Sequence, residues 1–127
     1  MLRKKILIVD DSEFIRKVIS FALEGKYEIV TAENGLHALE ILYNNKIDLI
    51  ISDIIMPVMD GYEFVKRIKK EDSLKDIPVI ILTTESYKDT KKEFKKLGIS
   101  DYIVKPVDSD ILLEIVDKYL LKGDKNE

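Results

Sequence analysis

The sequence predicts an α/β domain: a five-stranded parallel sheet in the order 2-1-3-4-5, doubly wound with helices on both faces. Three observations carry this. Five short apolar runs alternate with segments of helical periodicity, the pattern of repeated βα units. The first, third and fourth runs (Lys5 to Val9, Leu49 to Ser52 and Pro78 to Thr84) are almost wholly apolar, as strands buried on both faces of a parallel sheet are. The second and fifth, Tyr27 to Ala32 and Asp101 to Val104, are more mixed or shorter and belong at the edges. Right-handed crossovers then leave the order 2-1-3-4-5.

Taken in order, Lys5 to Val9 closes on Asp10-Asp11, and Ser12 can cap a helix carrying Phe14, Ile15, Val18, Ile19 and Ala22 at helical spacing to about Leu23. Gly25 stands where a helix-ending C′ glycine would. After the second strand, Glu33-Asn34-Gly35 is a turn, and Leu36, Leu39, Ile41 and Leu42 mark a second helix ending near Asn44-Asn45. Leu49 to Ser52 ends in Asp53 and breaks into a loop running to Gly61. Tyr62, Phe64, Val65 and Ile68 make a third helix with a Lys-rich end, which suits the negative pole of the helix dipole. Pro78 opens the fourth strand, where a missing N–H is tolerated. Lys88 to Leu97 is a helix with little apolar surface beyond Phe94 and Leu97, closed by Gly98. Asp108-Ser109 caps a last helix bearing Ile111, Leu112, Ile115, Val116, Tyr119 and Leu120.

The chain has 127 residues, the size of one domain; we assign 1–121 to it and 122–127 to a polar tail. No apolar run approaches a membrane span. Ile6 to Val9, behind the basic start, is too short for a signal-peptide core. There is no Cys, hence no disulfide framework or thiolate metal site, and a cytoplasmic protein is expected. A net charge of −3 gives no reason to expect nucleic-acid binding.

In an open α/β sheet, chemistry collects at the carboxyl ends of the strands where the order reverses. Asp10-Asp11 and Asp53 end the two strands flanking that point. Three close carboxylates repel one another unless a cation sits among them. All-oxygen ligands favour Mg²⁺, with Mn²⁺ as an alternative, over zinc. Thr83 ends the fourth strand and Lys105 follows the fifth, facing the carboxylates with a hydroxyl and an ammonium. That set suits a phosphoryl group on Asp53, since a carboxylate is a competent nucleophile and the cations and hydroxyl would stabilise the oxyanion.

These residues resemble the receiver domains of two-component response regulators, of the CheY type, along essentially the whole chain. The matching pieces are Val9-Asp10-Asp11-Ser12, Ser52-Asp53 with Met56-Pro57 and Met59-Asp60-Gly61, Leu82-Thr83, and Gly98 followed by Asp101-Tyr102-Ile103-Val104-Lys105-Pro106. The strand order is that of flavodoxin-like and CheY-like folds. The resemblance implies that Asp53 accepts a phosphoryl group from a sensor histidine kinase or phosphotransfer protein. It implies that Asp11, Asp53 and the carbonyl of Ile55 bind Mg²⁺ with Asp10 close by, and that Thr83 and Lys105 contact the phosphoryl oxygens. Lys105-Pro106 would be a cis peptide. Thr83 and Tyr102 would be the switch pair, with the fourth helix, fifth strand and fifth helix as output surface for a downstream protein. That surface would be basic here, through Lys91, Lys92, Lys95 and Lys96, and would suit an acidic partner. The resemblance implies no enzyme beyond self-phosphorylation and slow autodephosphorylation, and no nucleic-acid or membrane contact by this domain.

Ile55 and Glu85 occupy positions that tune hydrolysis in that family. The apolar Ile55 cannot hold an attacking water, so a longer phosphoryl lifetime than with an amide there is expected. Thr84, larger than Ala or Gly, would narrow access for small phosphodonors. Ile99-Ser100 departs from the family's pattern, and His37 belongs on the surface. The rivals are weaker. A flavodoxin-type protein needs a phosphate-cradling loop after the first strand, where Asp10-Asp11 would repel phosphate. A haloacid-dehalogenase-like phosphatase, the runner-up, needs a second Asp two residues after its nucleophile, and Asp10-Asp11-Ser12-Glu13 lacks it. A degenerate receiver that only binds partners would not need Asp53, Thr83 and Lys105 together.

Overall fold

The computed structural model describes residues 2–84 and 88–121; Glu85 and the 122–127 tail lie outside the described residues. Elements alternate as β1 (Lys5–Val9), α1 (Glu13–Leu23), β2 (Glu28–Ala32), α2 (Gly35–Asn44), β3 (Leu49–Asp53), α3 (Gly61–Lys69), β4 (Val79–Thr83), α4 (Lys88–Leu97), β5 (Asp101–Val104) and α5 (Ser109–Leu120). The strands form one parallel sheet in the order β2-β1-β3-β4-β5, as the polarity of the strands predicts.

The unbroken apolar runs serve two cores at once, because successive side chains on a strand face opposite ways. Ile6, Ile8, Leu49, Ile51, Ile80 and Leu82 point to one face and pack with α1 and α5 through Ile19, Leu23, Leu112, Val116 and Leu120. Leu7, Val9, Ile50, Val79 and Ile81 point to the other and meet α2, α3 and Phe94 of α4. Each such side chain contributes about 1.5–3 kcal/mol on full burial, so the three central strands are the least free to shift. They carry the site at their ends.

Two caps, Ser12 and Asp108, fall where the sequence places them, and Asn34 and Asp60 supply two more. The side chains of Ser12, Asn34, Asp60 and Asp108 accept helix-start N–H groups from Ile15, His37, Glu63 and Ile111 respectively. Gly98, at φ +88°, closes α4 in the left-handed region, where a Cβ is strained. Gly25 does not do this for α1: its φ is not positive, and the chain turns through Lys26 and Tyr27 N–H groups that both donate to the Leu23 carbonyl. Three apolar residues of the helical patterns stay outside the core, Phe14 at 73%, Leu36 at 45% and Ile111 at 52% exposure. Each lies in the first turn of its helix. Among the described residues no helix is long and apolar enough to cross a membrane.

Candidate functional site

The strand register sets the geometry. Val9 pairs with Ser52, so Asp10 and Asp53 emerge side by side from β1 and β3. Asp53 pairs with Leu82 and Thr83 with Val104, which brings Thr83 and Lys105 to the same rim. The ladder runs one step further, with the Lys105 N–H donating to the Thr83 carbonyl at 2.7 Å. Lys105-Pro106 is cis, as the resemblance implies.

Asp10, Asp11 and Asp53 each offer a carboxylate oxygen, and these oxygens lie within 4.8 Å of one another. The Lys105 ammonium stands 3.2 Å from Asp53 Oδ2 and 3.7 Å from Asp10 Oδ2. Asp10 is 1% exposed. Its Oδ1 accepts the Ser12 N–H at 2.9 Å, whereas its Oδ2 has no hydrogen-bond partner among the described residues. Burial pushes the Asp10 carboxyl above the ordinary carboxylate value, and Asp53 and Asp11 push the same way, against the Ser12 N–H and Lys105. A buried carboxylate oxygen with no hydrogen bond, held only by the Lys105 ammonium at 3.7 Å and beside two more carboxylates, is a cost a further cation reduces. The all-oxygen set fits a hard divalent ion such as Mg²⁺ or Mn²⁺. Asp53 Oδ1 accepts the Ile54 N–H at 2.8 Å. Asp53, Ile55, Thr83, Thr84 and Lys105 line one cleft of about 130 Å³. A wider hollow of about 520 Å³ opens between α1 and β2, but its charges are mixed and it lies apart from the carboxylate cluster.

The β3–α3 loop is shaped by contacts that residue types alone do not announce. A Cβ on Gly61 would lie 2.2 Å from the Asp53 carbonyl oxygen, so only glycine lets α3 begin against the end of β3; its N–H donates to the Ile54 carbonyl at 2.7 Å. Gly35 faces the same loop, where a Cβ would come within 2.9 Å of Met59. Val58 has φ +68°, and the Met59 N–H donates to Pro57 O across it at 2.7 Å. This is a γ-turn of the rare positive-φ kind, unusual for a β-branched residue. The sequence marks the stretch as a turn but gives no sign of which residue carries the strain.

The predicted site residues divide into two groups. Asp10, Asp11, Asp53 and Lys105 come together directly. Thr83, 2% exposed, lines the cleft while its hydroxyl donates to the Thr84 carbonyl at 3.2 Å. The Ile55 side chain stands 59% exposed at the mouth. Tyr102 lies apart, its hydroxyl donating to the Lys91 carbonyl on α4 at 3.1 Å and its ring 5.6 Å from the Lys91 ammonium. His37 is exposed on α2.

The sequence profile of the response regulator receiver domain matches residues 6–117. The chain is 41% identical over 107 residues to the phosphate regulon transcriptional regulatory protein PhoB of Pseudomonas aeruginosa, covering 84% of this chain and 47% of that one. It therefore spans about half the length of that relative. It is 42% identical over 122 residues to sporulation initiation phosphotransferase F of Bacillus subtilis, covering 94% of this chain and 96% of that one. In three dimensions it is similar to the chemotaxis protein CheY4 of Vibrio cholerae, with a TM-score of 0.87, 39% identity, and coverage of 93% and 99% of the two chains.

Proposed function

This chain belongs to the response regulator receiver domain family of two-component signalling, and from that premise we propose that it is a switch phosphorylated on Asp53. Receiver domains of the CheY, PhoB and sporulation initiation phosphotransferase F type interact with histidine kinases and downstream targets. The observation that carries the reading is the pairing of Asp53 with Lys105 at 3.2 Å, beside a buried Asp10 oxygen left without a hydrogen bond.

In this reading an Asp53 oxygen attacks the phosphorus of a phosphohistidine on the kinase or phosphotransfer protein. A P–O bond to the carboxylate forms, the P–N bond breaks, and the imidazole leaves with its electron pair. Lys105 balances negative charge on the transferred group, and the Thr83 hydroxyl turns from the Thr84 carbonyl to donate to a phosphoryl oxygen. Asp10, Asp11, Asp53 and the Ile55 carbonyl would hold Mg²⁺ or Mn²⁺, which when bound offsets the charge of the carboxylates and phosphoryl oxygens. The protein acts on no substrate but its own Asp53 and returns slowly to the unphosphorylated form by hydrolysis. Rotation of Thr83 changes the space beside β5, and Tyr102 relays it to α4, which with β5 and α5 presents the docking face for a protein partner. Its exposed Lys92, Lys95 and Lys96 favour an acidic one. We place the protein in the cytoplasm.

Intact-mass analysis after incubation with acetyl phosphate tests this. A single phosphoryl adduct that requires Mg²⁺ and is lost in Asp53→Ala is the expected result. An adduct that survives in Asp53→Ala, or none from acetyl phosphate and none from a phosphorylated kinase, would overturn it.

A further inference from the structure

Arg16 belongs to neither the carboxylate cluster nor the switch pair. From α1 its guanidinium reaches back past the helix start, and Nη1 donates to the backbone carbonyl of Asp10 at 2.7 Å. The contact lies outside the helical ladder, in which the Arg16 N–H donates to the Ser12 carbonyl at 3.0 Å. It completes a set around Asp10. The Asp10 N–H donates to the Ala32 carbonyl at 3.1 Å, Oδ1 takes the Ser12 N–H, and the carbonyl takes Arg16. Of the four polar atoms of this buried residue, only Oδ2 is left, and it faces the cluster.

The Asp10 carbonyl and the Asp11 N–H share one rigid peptide plane. Fixing that carbonyl limits rotation of the plane and thereby the direction in which Asp11 leaves the backbone. Asp11 needs this, since its exposed carboxylate makes no hydrogen bond or ion pair among the described residues. With no such partner, what the protein fixes is the direction of its Cα–Cβ bond, and the backbone sets that. We infer that Arg16 is a positioning residue for the cation site, holding the Asp10–Asp11 peptide so that both carboxylates converge with Asp53. The inference rests on the reading of those three carboxylates as a Mg²⁺ site. Arg16 acts through the backbone, with its planar fork and permanent charge making it a stronger carbonyl clamp than lysine.

The experiment uses the full chain with Arg16→Ala, Arg16→Lys and the exposed neighbour Lys17→Ala as control. Mg²⁺ dissociation constants come from backbone amide NMR titrations, and hydrogen exchange at the Ser12 N–H is followed in metal-free protein. Groups that orient metal ligands change affinity by about tenfold or more on removal. Arg16→Ala should weaken Mg²⁺ binding by about that factor and speed exchange at Ser12 without speeding it through the central strands. Arg16→Lys should fall between, and Lys17→Ala should match the parent. Acetyl phosphate should give the full adduct in Arg16→Ala once Mg²⁺ saturates. A Mg²⁺ affinity in Arg16→Ala within about twofold of the parent would overturn the inference, whatever the exchange shows. A parent chain that binds no Mg²⁺ removes the cation reading itself, and the inference with it; the parent titration tells that failure from a failure of Arg16.

Discussion

Single residues show where this chain departs from its own regularity. Val58 holds a positive φ while 76% exposed, so no packing offsets a backbone state that costs an L-residue about 1–2 kcal/mol. Val58→Gly should raise stability by about 1 kcal/mol in urea unfolding; an unchanged or lowered midpoint would show that the turn is not strained. Asp10 offers a second test. Its folded-state carboxyl titrates above the ordinary value of 3.8, so ionisation is harder in the folded than in the unfolded chain. The penalty is absent below 3.8, grows as pH rises through the interval up to the folded value, and is complete above it. Metal-free Asp10→Asn should therefore melt higher than the parent at neutral pH, with the gap closing as pH falls from the folded value to 3.8. Thermal melts in a chelator, across pH, check both the sign and the window.

Elements were legible where periodicity and punctuation agree. The two cores follow from period-two alternation within unbroken apolar runs, and Ser12 and Asp108 announce two helix starts, whereas Asn34 and Asp60, read as turn and loop residues, prove to be caps as well. The carboxylates were legible because they end strands whose order the polarity pattern already fixes. What escaped is contact between elements remote in sequence. Gly61 reads as a turn glycine, yet its role is the approach of α3 to the Asp53 backbone. Arg16 belongs to no spacing rule, because a side chain reaching six residues back to a carbonyl has no sequence signature. Phe14, Leu36 and Ile111 keep the helical period but stand exposed in the first turns of their helices. Gly61→Ala places a Cβ against backbone that cannot retreat and should cost about 3 kcal/mol. Denaturant unfolding checks it, and amide shifts confined to α3 and the end of β3 would locate the damage; a cost below about 1 kcal/mol would mean the helix start is free to move.

At the scale of the molecule, the carboxylate cluster works against the fold when no cation is bound. Mg²⁺ should raise the melting temperature of the whole domain, with stabilisation of about 2.7 kcal/mol once its concentration is a hundred times the dissociation constant. Asp11→Asn should lose most of that response, as calorimetry with and without Mg²⁺ would show; an equal response in both would place the ion elsewhere. The sheet itself carries a temporal consequence. No two neighbouring strands are joined by a hairpin, so each pairing must close a loop containing at least one helix, an arrangement that folds slowly. Asp53 is synthesised well before Lys105, so its counter-charge, 3.2 Å away in the folded protein, arrives only with the chain that follows β5. In the proposed function, a nascent or truncated chain would carry Asp53 without the ammonium that faces it at 3.2 Å, and phosphorylation would require the completed sheet.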